Sequence, residues 1–262
     1  SAVEANHRQM HQIFNTLELL DTVSNDVGEM DHWLIAKGRS NFSKWWEAMD
    51  DIRIREGVMI SHFDMLSDLQ WAIRRGGVGR SALLEHMKKW GYMLYPATPH
   101  LAEEWNQQIG NLNMLAEITI ENITLPEEDL CTLSSEAALR SLIDNARNVK
   151  VLAERHSEKP LTKLVIQTSP SWKNILMNEA INLHSQGFDF MKEGQAFIQS
   201  HSLFKDESMR GEIMQYWRTV TIGSKKSRGR VFTLNSGERN LIQTGFDESE
   251  YIEKAANFIS NA

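Results

Sequence analysis

The sequence predicts a mainly α protein: an antiparallel helical bundle followed by a small α/β or α+β domain. Three observations predict this. Apolar residues recur at helical spacing with short connections through the first hundred positions. Only 15 Gly and 5 Pro occur in 262 residues, too few turn formers for an all-β sandwich or barrel. After Gly110 the pattern changes to β-branched alternation, which marks a second unit.

Residues 3–25 read as one helix through Val3, Met10, Phe14, Leu17 and Leu20. Gly28 interrupts it, and Asp31 can cap a second helix carrying Trp33, Ile35, Phe42, Trp45, Trp46 and Met49. A third begins near Arg53, with Met59, Phe63, Leu66 and Ile73 as its apolar face. Arg74 and Arg75 suit the negative end of its dipole, and Gly76-Gly77 stop it. Ser81 to Leu94 forms a fourth helix, buried through Leu83, Leu84, Met87 and Trp90. Thr98-Pro99 then supplies an N-cap hydroxyl and a proline at the first position of a helix running to Ile109.

This places a helical bundle at 1–110, a linker at 111–133 containing Pro126-Glu127-Glu128-Asp129, and a second domain at 134–262. In that domain Ser134 or Ser135 opens a helix to His156. Leu161 to Thr168 reads as a strand. Ser169-Pro170 starts a helix with Trp172, Ile175, Leu176, Ala180 and Leu183 on one face. Helices follow at 189–201 and 206–222, then a Gly/Ser/basic loop or hairpin at 223–235. Asp247 to Glu250 has capping-box spacing ahead of a last helix ending near Ser260.

Composition narrows the function. No aliphatic run approaches the ~20 residues that cross a bilayer, and no basic and apolar leader is visible, so no membrane role is expected. The single cysteine, Cys131, cannot form an internal disulfide or a thiolate metal cluster, which makes a cytoplasmic location the default. A net charge of −7 argues against a uniformly basic nucleic-acid coat but allows local basic patches.

Most motifs read as structure. Gly76-Gly77-Val78-Gly79-Arg80-Ser81 resembles the end of a phosphate loop, yet Arg74 stands where its first glycine belongs and Arg80 replaces its lysine. It reads as a turn between helices. His7 and His11 have the one-turn spacing of paired metal ligands, but without a third ligand they read as a polar helix face. Neighbouring acids make Cys131 a poor nucleophile, and no catalytic constellation is evident. Neither catalytic residues nor a bound cofactor or metal are expected.

The charge pattern says more. Arg218, Lys225, Lys226, Arg228 and Arg230 form a stretch without acids, just after Tyr216 and Trp217. Basic residues beside aromatics suit phosphate contact and base stacking. They suit equally a solvated loop whose aromatics face the core. Arg74, Arg75 and Arg80 form a second cluster, explained by helix-end capping as well as by RNA contact.

Leu94-Tyr95-Pro96-Ala97-Thr98-Pro99-His100-Leu101-Ala102-Glu103-Glu104-Trp105 resembles the Pro-x-x-Pro-His-x-Ala-Glu-Glu-x-Trp segment of the anticodon-binding bundle in class I aminoacyl-tRNA synthetases for leucine, isoleucine and valine. Leu66 to Gly76 is similar to the Leu-Asn-Asp-Leu-Arg-Trp-Tyr-x-Arg-Arg stretch of archaeal-type leucyl-tRNA synthetases, with Gln70 and Ala72 in place of the usual Arg and Tyr. Asp31-His32-Trp33-Leu34 resembles the Asp-x-Trp-Leu that opens an earlier helix there. Lys163 to Lys173 resembles a strand-then-Ala-Pro-Glu-Trp-Lys element of the family's C-terminal domain, and Asp247 to Glu250 its late helix start.

The resemblance runs in order along nearly the whole chain. It implies a C-terminal portion, apart from the catalytic and editing domains, since neither His-x-Gly-His nor Lys-Met-Ser-Lys-Ser occurs. In the full enzyme, leucine tRNA would be charged with ATP and magnesium. This part would bind the tRNA body and long variable arm, as a monomer beside the other domains of its polypeptide. The resemblance and the charge pattern together assign Arg74, Arg75, Arg80, Arg218, Lys225, Lys226, Arg228 and Arg230 to tRNA contact. Two other readings stand beside it: the equivalent part of an isoleucyl or valyl enzyme, and an acidic helical scaffold that binds protein through Trp- and Met-rich faces.

Overall fold

The computed structural model describes residues 2–111, 113–156, 163, 165–204, 206–224 and 227–261. The protein is mainly α and divides into two compact units, Ser1–Leu133 and Ser134–Ala262. No helix among the described residues is long and apolar enough to cross a membrane.

The first unit contains α1 (Ala2–Asn15), α2 (Leu19–Thr22), α3 (Asp31–Asp50), α4 (Ile54–Met59), α5 (Met65–Arg75), α6 (Arg80–Leu94) and α7 (Pro99–Gln108). The helix expected over 3–25 is interrupted by a 3-10 turn at Thr16–Glu18. Its core is built on Trp90 and Trp105, both fully buried and edge-to-face with centroids 5.1 Å apart. Each indole N–H reaches a backbone carbonyl: Trp90 donates to Ser61 at 2.6 Å and Trp105 to Met87 at 3.0 Å. Gly91 lets Trp105 in, for a Cβ there would stand 3.3 Å from its ring.

Between α4 and α5 the chain makes a π-helical turn at Ile60–Asp64. The extra residue rotates the apolar face, so Ile60, Met65, Leu69 and Ala72 enter the core. Met59, Phe63 and Ile73, expected on that face, are instead exposed. The wider turn also takes its carbonyls off the regular ladder. Trp90 satisfies that of Ser61, and Gln9 Nε2 donates to that of His62 at 2.5 Å, fastening α1.

Two expected caps resolve differently. Asp31 is the first residue of α3 and turns its carboxylate to the amides of Gly28 (3.0 Å) and Gly79 (2.6 Å). The Thr98 hydroxyl donates back to the Leu94 carbonyl at 3.1 Å, while Pro99 opens α7 as expected.

The segment read as a linker belongs to the first unit. Leu115 is buried, and Ile118, Ile120, Ile123 and Leu133 pack on its core. The next helix, α8 (Glu127–His156), begins at Glu127 and not at Ser134, because three acids in its first turn complement the helix dipole. One of them, Asp129, is buried and accepts Arg39 at 3.1 Å.

The second unit continues with α9 (Ser171–Gln186), α10 (Phe190–Ser200), α11 (Arg210–Thr221), α12 (Ser236–Gln243), α13 (Glu248–Lys254) and α14 (Ala256–Asn261). The last two divide what the sequence reads as a single helix. Trp217 centres the core and lies so close to α10 that a Cβ on Gly194 would meet its ring at 2.0 Å. The expected strand at 161–168 is not formed where it is described: Lys163 and 165–168 are irregular, and Leu161, Thr162 and Leu164 lie outside the described residues. Val165 is 73% exposed, so the apolar run has no sheet face to cover. Among the described residues the sheet is a two-residue antiparallel ladder, β1 (Gly223–Ser224) with β2 (Ser227–Arg228), which falls short of the α/β layer expected.

Candidate nucleic-acid interface

In the first unit the three arginines separate. Arg74 is exposed, with Nε 3.3 Å from the Gln70 carbonyl. Arg75 points the other way: its side chain is 4% exposed and Nη1 lies 2.8 Å from Glu29 Oε1. A guanidinium held there cannot reach a phosphate. Arg80 Nη1 donates to the Leu20 carbonyl and ties the end of α2 to the start of α6. Arg75 and Arg80 therefore hold the fold together, and Arg74 alone of this cluster is directed outward.

The second unit gathers more. The ladder turns the chain back against the end of α11, and Gly229 permits the close pass because a Cβ would come 2.6 Å from the Thr221 carbonyl. Arg218 on α11 and Arg228 on β2 are both exposed. Lys225 and Lys226 lie outside the described residues. Arg230 pairs with Glu238 at 3.0 Å, the same glutamate that closes the capping box of α12 with Asn235.

The aromatics beside the basic stretch divide between core and surface. Trp217 is in the core, with its indole N–H 3.2 Å from the Phe190 carbonyl. Tyr216 is half-buried and meets Trp172 of α9 edge-to-face, with centroids 5.5 Å apart. Lys173 Nζ lies 5.4 Å from the Trp172 ring and 5.5 Å from the Tyr216 ring, within cation–π range of both. Burial pushes the Tyr216 phenol above its ordinary pKa, against the opposing charge of Arg230. Sequence reasoning did not single out Lys173 and Trp172, which the structure brings together with Tyr216. Their signal is the Ser-Trp-Lys at the start of α9, read for its apolar face and for its likeness to the family's Trp-Lys element, but not for RNA contact.

Arg230 also lines a groove of about 880 Å³ within the second unit. The groove is lined by the polar side chains of Thr168, Ser171, Asn174 and Asn235, the carboxylates of Glu238, Asp247 and Glu248, and apolar residues that include Ile242 and Phe246. Ser171 and Asn174 share one face of α9 and line the groove, whereas Trp172, Lys173 and Tyr216 are not among its lining residues. Rings beside the Lys173 ammonium suit a sugar–phosphate chain with unstacked bases, whereas the groove's carboxylates disfavour phosphate within it.

No family model matches the chain. It is similar over most of its length to archaeal leucine–tRNA ligases. It is 26% identical to that of Methanococcus maripaludis strain S2 over 87% of this chain, and 25% identical to that of Methanosarcina mazei over 91%. With the enzyme of Methanococcoides burtonii the identity is 24% across 100% of the chain. The chain spans only 23–26% of the length of these relatives.

Proposed function

We propose that this chain is the C-terminal, tRNA-binding part of an archaeal-type leucyl-tRNA synthetase. In the whole enzyme, domains outside this chain activate leucine with ATP and magnesium and transfer it to tRNA. This part lends binding energy that positions the tRNA. The observation that carries the reading is the similarity along the chain to leucine–tRNA ligases, joined to the Lys173–Trp172–Tyr216 group of the second unit. Arg74, Arg218, Lys225, Lys226 and Arg228 would add phosphate contacts.

The test is binding of the isolated chain to leucine tRNA, to a form with a truncated variable arm, and to isoleucine and valine tRNAs. Preference for intact leucine tRNA is expected. Equal binding to all four would refute the assignment. For the scaffold reading, Trp33, Trp45, Trp90, Trp105 and Trp217 are buried, while Met59, Met114 and Met191 are exposed.

A further inference from the structure

On the exposed side of α1, His7 and His11 stand one turn apart with their Nε2 atoms 3.2 Å from each other. The rings meet edge-to-face with centroids 4.4 Å apart, and the two Nε2 atoms face each other beside the helix. Two imidazoles at this distance share one N–H···N hydrogen bond. The spacing is also that of two ligands on one ion. Nitrogens ~2.0–2.1 Å from a tetrahedral zinc stand about 3.4 Å apart, and adjacent ligands on a square-planar or octahedral ion about 2.9 Å. The observed separation falls between these limits, so an ion could be chelated once the rings turn about their side-chain bonds to point both Nε2 lone pairs at it.

We propose that His7 and His11 form a bidentate surface site for a divalent transition ion that favours imidazole, such as zinc, nickel or copper(II), with water completing its coordination. Magnesium and calcium, which require oxygen ligands, do not fit. Among the described residues no cluster of three or more His, Cys, Asp or Glu forms a metal site, so this is a two-point, exchangeable one. The ion would bridge successive turns of α1. Because it binds the helical geometry, its binding stabilises that geometry.

Calorimetry of the whole chain with zinc chloride and with copper(II) sulfate tests this. One ion per chain is expected. His7→Gln and His11→Gln should each weaken binding by about tenfold or more, since each removes the chelate. The exposed His32→Gln should leave it unchanged. Copper resonance should show two imidazole nitrogens in the wild type and one in either variant, and zinc should slow amide exchange in α1. Absence of binding by either ion, or binding unaffected by both substitutions, would overturn the site.

Discussion

Asp31 Oδ1 accepts the amide of Gly79 at 2.6 Å across 48 residues of sequence, while its other oxygen accepts the amide of Gly28. The two turns are pressed together, for a Cβ on Gly28 would lie 2.5 Å from Val78 Cα. The glycine-rich loop that resembles a phosphate cradle is thus closed by the protein's own carboxylate. Asp31→Ala would leave the buried Gly79 amide without its acceptor and is expected to cost about 1–3 kcal/mol. Asp31→Asn, with one carbonyl oxygen left, should fall between. Urea unfolding measures both.

The helices were legible because burial leaves a period in the sequence, and Leu83, Met87, Trp90 and Leu94 show it plainly. Where the structure departs, a non-local contact or a local irregularity prevailed. The π turn at 60–64 moved Met59 and Phe63 out of the core, and no residue pattern announces such an insertion. The Gly/Ser/basic composition located the ladder. It could not separate Arg74 from Arg75, because adjacent helical residues point about 100° apart and only the fold shows that Glu29 faces one of them.

His86 is fully buried beside Gly38, and burial lowers its pKa to about 4, with the Asp68 charge opposing. Between the ordinary value near 6.5 and about 4 the unfolded chain takes up a proton that the native state refuses. Stability therefore falls as pH drops through that window, by up to about 3 kcal/mol from this group. Denaturation at pH 7.5, 6 and 4.5 should show a steeper loss for the wild type than for His86→Gln. Parallel pH profiles would contradict this.

Ile52 has φ of +60° and is 79% exposed, between α3 and α4. A β-branched residue is strained there, and its side chain has little packing to lose. Ile52→Gly is expected to raise stability by about 1 kcal/mol, the relief of strain exceeding the added freedom of the unfolded chain. A thermal melt reads the sign directly.

Arg74 and Arg75 should behave as different kinds of residue despite their adjacency. Arg75→Gln is expected to lower stability by about 1–3 kcal/mol through loss of the Glu29 pair and of packed side-chain stem. Arg74→Gln should leave unfolding unchanged and reduce the salt slope of tRNA binding by less than about one unit. Paired unfolding and filter-binding measurements check both. The reverse pattern would place the phosphate contact on the wrong arginine.

The half-buried aromatic group gives the sharpest separation of stacking from charge. Trp172→Ala removes one ring of the pair and the surface over which Lys173 lies. If a base stacks there, tRNA affinity should fall by about 1–3 kcal/mol with the salt slope nearly unchanged, because no cation is lost. Lys173→Gln should do the opposite, lowering the slope by less than about one unit while leaving stacking in place. Tyr216→Phe keeps the ring and should alter neither. Equal losses of affinity and slope in the Trp172 and Lys173 variants would mean that the group only supports a cationic surface, and the bases would have to be held elsewhere.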